Sequence, residues 1–395
     1  MSRRRRRLRR GCRAAGWSSS RSRPAEFWEY LGAAGAYYPT APSVFRASCR
    51  SKCHGPRRFR PLGNALVRSD HGRILGRRNR YDTKENELSF ETLAVTPQEL
   101  VLRKSAPIAP YTTLGIGGPA DVLTEVYTEK ALQQVVSEAV RTGTKWLLIG
   151  GGSNLLVGDT GFRGVVIVNK IEHMNVKGTR IVAGAGADLG ELVEAAREHS
   201  LSGLEFAIDI PGTVGGAVRG NAGAFGRAVG DIITRIRVLE GTKLVDRTPA
   251  ELGFAYRHSK LKENSDIVVE AEFVLKQGDR AEMDRIMGQH AAQRARRQEK
   301  GLHTAGCFFK NPVLPDGTKI AAGQLLEAAG AKEIRDGGAG VHTYHANYIV
   351  NKGGATAHEI LRVAKEMKRR VEEANGITLE EEVMVVVDPP SAGAV

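Results

Sequence analysis

The sequence predicts an α+β fold for this 395-residue chain, and three observations point to it. Segments with the two-residue period of strands alternate with segments of helical period along the body of the chain. They follow no single βαβ repeat and no internal sequence period. Two glycine-dense stretches punctuate the pattern at the ends of apolar runs, where backbone must approach something closely.

Regular structure is expected from about Leu88 onward. Residues 120–127 (ADVLTEVY) alternate apolar and polar, as a half-buried strand does. Residues 129–141 put Leu132, Val135, Val136 and Ala139 on one helical face. Residues 145–149 (KWLLI) read as a buried strand running into Gly150, and 165–168 and 181–182 as short strands. Asp188 caps a helix that continues to about His199, with acids near its start. A glycine-rich loop is expected over 211–226 and a further strand over 267–275. A long basic helix follows over 280–298, then helices over 324–329 and 356–374. A strand over 383–387 closes the body, and the tail from Pro389 is expected to fray.

Charge is distributed unevenly. Residues 1–80 hold 21 Lys+Arg against 3 Asp+Glu, whereas the remaining 315 hold 37 against 41. The net charge of +14 therefore belongs to the leader, and the body is not expected to bind nucleic acid. At 41% hydrophobic the chain builds real cores, which excludes global disorder, and its length suits roughly two to three domains. No run of about 18 apolar residues is present, so no spanning helix is expected. Cys12, Cys49 and Cys53 lie in the leader and Cys307 alone in the body, so no disulfide framework is expected and a reducing, cytoplasmic setting fits. The Cys49, Cys53, His54 spacing matches no standard metal site, and no metal is expected. The Arg- and Ser-rich leader leaves three readings open: a transit peptide, a basic tail touching RNA or membrane, or an extension upstream of the true start. The next Met is Met174, and the reading adopted is a dispensable or mis-assigned extension.

The glycines carry the strongest local signal. In IGGGSNLLVGD (149–159), Gly150, Gly151 and Gly152 follow an apolar strand, and Ser153 and Asn154 offer side-chain donors. Successive N–H groups in such a turn form a nest for an anion, typically a pyrophosphate. The competing reading is a plain tight turn. The second stretch, IPGTVGGAVRGNAGAFG (210–226), has glycines at 212, 215, 216, 220, 223 and 226, with a hydroxyl on Thr213 and an amide on Asn221. Together the two suit a dinucleotide cofactor gripped from two sides. Gly184, Gly186 and Gly190, with Asp209 further on, imitate a Rossmann fingerprint. That reading is disfavoured, because the strand before them is short and no second strand precedes Asp209.

Seven motifs then occur in order: TTLGIGGPADV (112–122), IGGGSNLLVGD, PGTVGGAVRGNAGAFG, YRHS (256–259), GCFFKNP (306–312), HANYIVNKGGATA (345–357) and LEEEV (379–383). Over about residues 90–388 the chain resembles the UDP-N-acetylenolpyruvoylglucosamine reductase (MurB) family, in its shorter subtype. The resemblance implies an FAD-binding region of the vanillyl-alcohol-oxidase type in two subdomains (86–278), after a leader (1–85). It further implies a substrate-binding α+β domain (279–378), a closing strand with a catalytic glutamate (379–388) and a tail. The implied reaction is reduction of the enolpyruvyl ether of UDP-N-acetylglucosamine to UDP-N-acetylmuramate, with FAD bound and NADPH as hydride source.

Site residues follow from the same resemblance. Gly150, Gly151, Gly152, Ser153, Asn154, Gly212, Thr213, Gly215, Gly216, Asn221 and Gly223 would hold the cofactor. Arg257 would face the substrate carboxylate, where a planar guanidinium fork suits the charge of an enolate. Cys307 would donate the proton, standing where most of the family has Ser; with a reference pKa of about 8.5 a thiol is a better acid than a hydroxyl. Glu382, the last acid before Val383, would be the catalytic glutamate, able to donate a hydrogen bond once burial raises its pKa. Tyr256, Lys310, Asn311, His345 and Asn347 would contact the nucleotide sugar. Read without the family, Arg257 is a surface residue, Cys307 an inert buried thiol, 380–382 a solvated acidic cluster and His345 structural. The chain departs from the family at Gln298-Glu299-Lys300, where Gln-Pro is common, and at Arg219-Gly220. A flavin oxidase and a non-enzymatic binding protein with a basic tail are the alternative readings.

Overall fold

Strand β1 (Leu100–Pro107) runs antiparallel to β2 (Pro119–Val126), and their pairing opens the first sheet. The computed structural model describes residues 93–296 and 301–387. The leader with Cys12, Cys49 and Cys53, the expected start at Leu88, residues 298–300 and the tail lie outside the described residues. Helix α1 (Glu129–Thr142) is capped by Thr128 and ends at Gly143 with φ +68, a left-handed stop that suits glycine. Its buried face includes Leu132, Val135, Val136 and Ala139, the stripe read from the sequence. The chain continues through β3 (Trp146–Ile149), β4 (Leu155–Val157) and β5 (Phe162–Asn169). Sheet order is β1-β2-β5-β3, with β2 and β3 both parallel to β5.

The second sheet is antiparallel throughout. It collects β6 (Met174–Lys177), β7 (Arg180–Gly184), β8 (Ile233–Glu240), β9 (Lys243–Arg247) and β10 (Ile267–Val274) in the order β9-β8-β10-β7-β6. Since β7 has antiparallel neighbours on both sides, the Gly184–Gly190 stretch belongs to no βαβ unit, and a Rossmann site is not built there. Helices α2 (Leu189–Glu198) and α3 (Val214–Gly220) share a core with this sheet, and Asp188 accepts the Gly190 and Glu191 N–H groups as the cap read from the sequence.

Helix α3 corrects the expectation of an unbroken loop over 211–226. Thr213 caps it, and Val214, Ala217 and Val218 are buried on one side. A Cβ at Gly215 would stand 2.8 Å from the Ala185 Cβ, so the glycine lets the helix press on the turn after β7. Tertiary packing here overrides the low helix propensity of glycine.

Helix α4 (Arg280–Ala295) sends Met287 into the core of the second sheet and ties Arg197 of α2 to Asp284 at 2.5 Å. The Phe225 ring stacks on His290 at 3.7 Å, and Arg294 donates to the Asp209 carbonyl at 3.0 Å. Although it lies beyond residue 278, α4 packs on the sheet-and-helix layer that precedes it.

The third sheet is formed by β11 (Thr304–Cys307), β12 (Arg335–Asp336), β13 (Ala339–Val341) and β14 (Tyr348–Asn351) in the order β11-β14-β13-β12. Helix α5 (Ala322–Ala328) packs on α6 (Ala357–Asn375), which buries Ile360, Leu361, Ala364, Met367 and Val371 and lies on this sheet. The chain then returns, and β15 (Met384–Val386) adds in parallel to β4 of the first region.

A second link joins those distant parts. Asp159, last residue of the first glycine motif, accepts the Ala357 N–H at 2.8 Å and lies 2.9 Å from His358 Nδ1. It thus supplements Thr356 at the positive end of α6. Replacing Asp159 with Ala should lower stability by about 1 kcal/mol, the usual loss for a helix-capping acceptor. Comparison of urea midpoints for the two proteins checks this.

Candidate active site

Gly150–Ser153 forms a close-packed turn. A Cβ at Gly150 would lie 2.3 Å from Thr213 Oγ1, one at Gly151 2.8 Å from the Gly212 Cα, and one at Gly152 2.0 Å from the Tyr111 carbonyl. Gly152 also has φ +61. Three chain segments cross here without side chains between them. Ser153 Oγ donates to the Pro211 carbonyl at 3.1 Å, fastening the two glycine motifs together. Thr113 completes the knot: its N–H donates to the Gly152 carbonyl at 3.1 Å and its hydroxyl to the Thr304 carbonyl at 2.6 Å.

The N–H groups of Gly151, Gly152 and Ser153 meet no acceptor among the described residues. Three free donors on successive residues, beyond the end of a parallel strand, fit the pyrophosphate of a dinucleotide. The first turn of α3 differs. Its N–H groups at Val214, Gly215 and Gly216 are taken by Ala187 O, Ala185 O and Thr213 Oγ1. Gly215 and Gly216 therefore shape the helix, and the Thr213 hydroxyl accepts as a cap. Asn221 is spent on structure as well, with its amide on the Ala255 carbonyl at 2.8 Å and its oxygen on the Gly230 N–H at 3.0 Å. Gly223 lends its carbonyl to Arg257 Nη1 at 3.4 Å.

Arg257, Cys307 and Glu382 come from three separate parts of the chain and converge. Arg257 holds φ +54, an uncommon conformation for a non-glycine residue that costs of order 1 kcal/mol. Paired backbone bonds between Ala255 and His258 hold it, and Lys262 Nζ donates to its carbonyl at 2.8 Å. Arg257 Nε lies 2.7 Å from Glu382 Oε1, although its N–H is not aimed along that line. The Glu382 N–H donates to the carbonyl of Phe308, the residue after Cys307, at 2.8 Å.

The structure also separates the three consecutive glutamates. Glu380 pairs with Lys310, Glu381 pairs with Lys368 at 3.0 Å, and Glu382 alone turns to Arg257. Burial pushes the Glu382 carboxyl above the ordinary range, against the opposing pull of Arg257, Lys262, Lys310 and Lys319. Burial, and then the Glu382 charge, push the Cys307 thiol up to about 11. The thiol is therefore a weaker acid than its reference value suggests, and it stays protonated at neutral pH.

The expected substrate contacts divide in two. Tyr256 is half-exposed, with Lys319 Nζ 2.8 Å from its ring centroid. Lys310 borders the Glu382 group but is engaged by Glu380. Asn311 Oδ1 accepts the Ala322 N–H at 3.0 Å, and the buried Asn347 amide is closed on both backbone groups of Phe309 at 2.8 and 3.0 Å. His345 stacks on Tyr348 at 4.3 Å. Asn347 thus holds the segment that follows Cys307 and also hydrogen-bonds the thiol, and Asn311 ties that segment to the start of α5.

The sequence reading missed Lys262, Lys319, Arg294 and Tyr348. Lys262 and Lys319 act electrostatically on Glu382, Arg294 acts on Cys307, and Tyr348 is itself raised by burial and then by the Cys307 charge. Tyr348 lies inside HANYIVNKGGATA and Lys262 three residues beyond YRHS, but a tyrosine or a lone lysine there carries no distinguishing signal, and Lys319 and Arg294 lie outside the motifs.

A thiol with pKa about 11 has roughly 160-fold less thiolate at pH 8.5 than one with the reference value. Iodoacetamide labelling of Cys307, followed by mass spectrometry, should be at least that much slower than labelling of free cysteine. Glu382→Gln removes a neighbouring negative charge, so it lowers the thiol pKa and should accelerate labelling at fixed pH.

The chain is similar to known proteins over most of its length. The family model "FAD binding domain" matches residues 120–244, and the model "UDP-N-acetylenolpyruvoylglucosamine reductase, C-terminal domain" matches residues 297–386. The UDP-N-acetylenolpyruvoylglucosamine reductase of Solibacter usitatus is 38% identical over 304 residues, covering 73% of this chain and 97% of that protein. The protein of the same name from Geotalea uraniireducens is 41% identical over 288 residues, covering 72% and 94%. The crystal structure of UDP-N-acetylenolpyruvylglucosamine reductase (MurB) from Thermus caldophilus superposes with TM-score 0.63 at 35% identity, covering 73% of this chain and 99% of that one. The fold is accordingly an FAD-binding region followed by the C-terminal domain of these reductases. With near-full-length relatives at this identity, the chain belongs to the UDP-N-acetylenolpyruvoylglucosamine reductase family.

Proposed function

We propose that this chain is an FAD-dependent reductase that uses NADPH to convert UDP-N-acetylenolpyruvoylglucosamine to UDP-N-acetylmuramate, a step in peptidoglycan precursor synthesis in the cytoplasm. The observation that carries the proposal is the convergence of Arg257, Glu382 and the Cys307 strand. The free N–H groups of Gly151–Ser153 support a bound dinucleotide, pressed from behind by Gly212 and Thr213. When bound, FAD supplies the hydride that NADPH provides.

The protein side chains manage charge and one proton. Hydride arriving at the vinyl carbon leaves negative charge spread from the α-carbon into the substrate carboxylate. Arg257 meets that charge with its guanidinium, which a partly buried site makes more effective than it would be in water. Lys262 and Lys319 add positive potential beside it. The Cys307 thiol gives its proton to the α-carbon, which completes the saturated lactyl ether, and the resulting thiolate is reprotonated from solvent. Burial keeps the thiol loaded with that proton across neutral pH. Glu382, raised by burial, sets the field felt by both Arg257 and Cys307. Tyr256, Lys310 and His345 border the space for the nucleotide sugar, and Asn311 and Asn347 hold its wall.

For the domains, the reading assigns 86–278 to cofactor binding, 279–378 to substrate binding and 379–388 to the return carrying Glu382. The packing of α4 supports counting it with the cofactor region, which moves that boundary to about 296.

Visible spectra of the purified protein test the proposal. A flavin spectrum should be bleached by NADPH and restored anaerobically by UDP-N-acetylenolpyruvoylglucosamine. A folded protein that takes up no FAD would refute it. Cys307→Ser should retain turnover, whereas Cys307→Ala should keep bleaching by NADPH and lose restoration by substrate; undiminished turnover of the Ala variant would remove Cys307 from the chemistry. Arg257→Lys should lower kcat by about 100-fold, the scale of losing one aimed donor to a developing anion, as steady-state kinetics would measure.

A further inference from the structure

Asn154 stands in the first glycine motif among residues expected to hold the cofactor, yet its polar contacts run elsewhere. Its Nδ2 donates to the Glu382 carbonyl at 3.0 Å, and its own carbonyl accepts the Met384 N–H at 3.1 Å. The first of these bonds spans 228 residues of sequence. From Asn154 onward β4 and β15 pair in register, Leu155 with Met384 through Val157 with Val386. On its other side the returning segment is bonded to the Cys307 strand: Glu382 N–H to the Phe308 carbonyl and Lys310 N–H to the Glu380 carbonyl, both at 2.8 Å. Glu382 itself lies just outside the β4–β15 ladder. Among the described residues, the Asn154 amide is the one side chain bonded to its backbone.

We infer that Asn154 is a positioning residue for Glu382: it anchors the Glu382 peptide to the cofactor turn and so fixes the carboxylate against Arg257. The inference rests on the proposed function and deepens it. The turn that receives the dinucleotide and the acid that tunes the proton donor become one mechanical unit, because Gly151–Ser153 is followed directly by Asn154, the residue that grips Glu382. Without the amide, the Glu382 carbonyl loses its partner, and the carboxyl is free to swing from Arg257 toward water. The groups facing that carboxyl are Arg257, Lys262, Lys310 and Lys319, with Cys307 and Tyr256 beside them. Burial is what raises it, so release toward solvent brings its titration down.

The test uses the full chain loaded with FAD, in Asn154→Ala and in Asn154→Asp, whose carboxylate is nearly isosteric but cannot donate. Flavin uptake and bleaching by NADPH show that each variant has folded. Flavin affinity, read by fluorescence titration, should stay within about twofold of wild type, and bleaching by NADPH likewise. Anaerobic reoxidation by UDP-N-acetylenolpyruvoylglucosamine should slow by about tenfold or more, with its acid limb displaced to lower pH. In a Glu382→Gln background, Asn154→Ala should add little further slowing, because both changes disable the same group. Weakened flavin affinity with normal reoxidation once saturated would make Asn154 a cofactor ligand and overturn the inference. Losses that multiply in the double variant would overturn it too. If wild-type protein takes up FAD and is bleached but is not reoxidised by this substrate, the proposed function fails instead.

Discussion

The parallel pairing of Met384–Val386 with Leu155–Val157 is the constraint on which the site depends. Strand β15 brings the end of the described chain back across the molecule to the second half of the first glycine motif. Gly158 N–H extends the contact to the Val386 carbonyl, and Val386 enters the core of the first sheet. Because the segment is bonded to the Phe308–Lys310 backbone on its other side, it stitches the third sheet to the first. Remove that stitch and Glu382 loses its fixed relation to Cys307 and the glycine turn.

Close packing of bare backbone makes the stitch possible. At Gly151 and Gly152 a Cβ would stand 2.8 Å or less from other backbone atoms, so the segments at 111–113, 150–153 and 211–213 meet without intervening side chains. Thr113 passes this closeness on by bonding both the Gly152 and Thr304 carbonyls. The same crowding leaves the Gly151–Ser153 N–H groups without an acceptor among the described residues. A steric requirement and a binding capability thus come from the same residues.

Electrostatics at the convergence point are set by burial working against charge. Glu382 is drawn down by four cations and pushed up further by loss of water, and Cys307 inherits part of that negative potential. Lys262 shows the converse, since burial lowers it and the neighbouring Arg219 adds to the effect. Arg219, one of the departures from the family pattern, is itself lowered by burial. Lys262 and Arg219 are thus held where burial disfavours their charged forms.

Much of this molecule was legible in the chain itself. Local rules are enough to mark α1, whose buried face follows a 3.6-residue period and whose ends carry Thr128 and Gly143. They also mark the cap at Asp188, a helix beginning near Thr356 and the seven ordered motifs that led to Arg257, Cys307 and Glu382. Tertiary structure decided what depends on partners far away in sequence. Helix α3 forms within a glycine-rich stretch because Ala185 and Ala187 receive its first N–H groups. Thr213, Asn221, Asn311 and Asn347 are polar residues in motifs, but neighbours spend their hydrogen bonds on the scaffold. Which of Glu380, Glu381 and Glu382 faces Arg257 is fixed only when Lys310 and Lys368 claim the other two. Sequence period and capping act over a few residues, so a reader of the chain can see them; charge pairing and desolvation act through space, and only the fold brings those groups within reach.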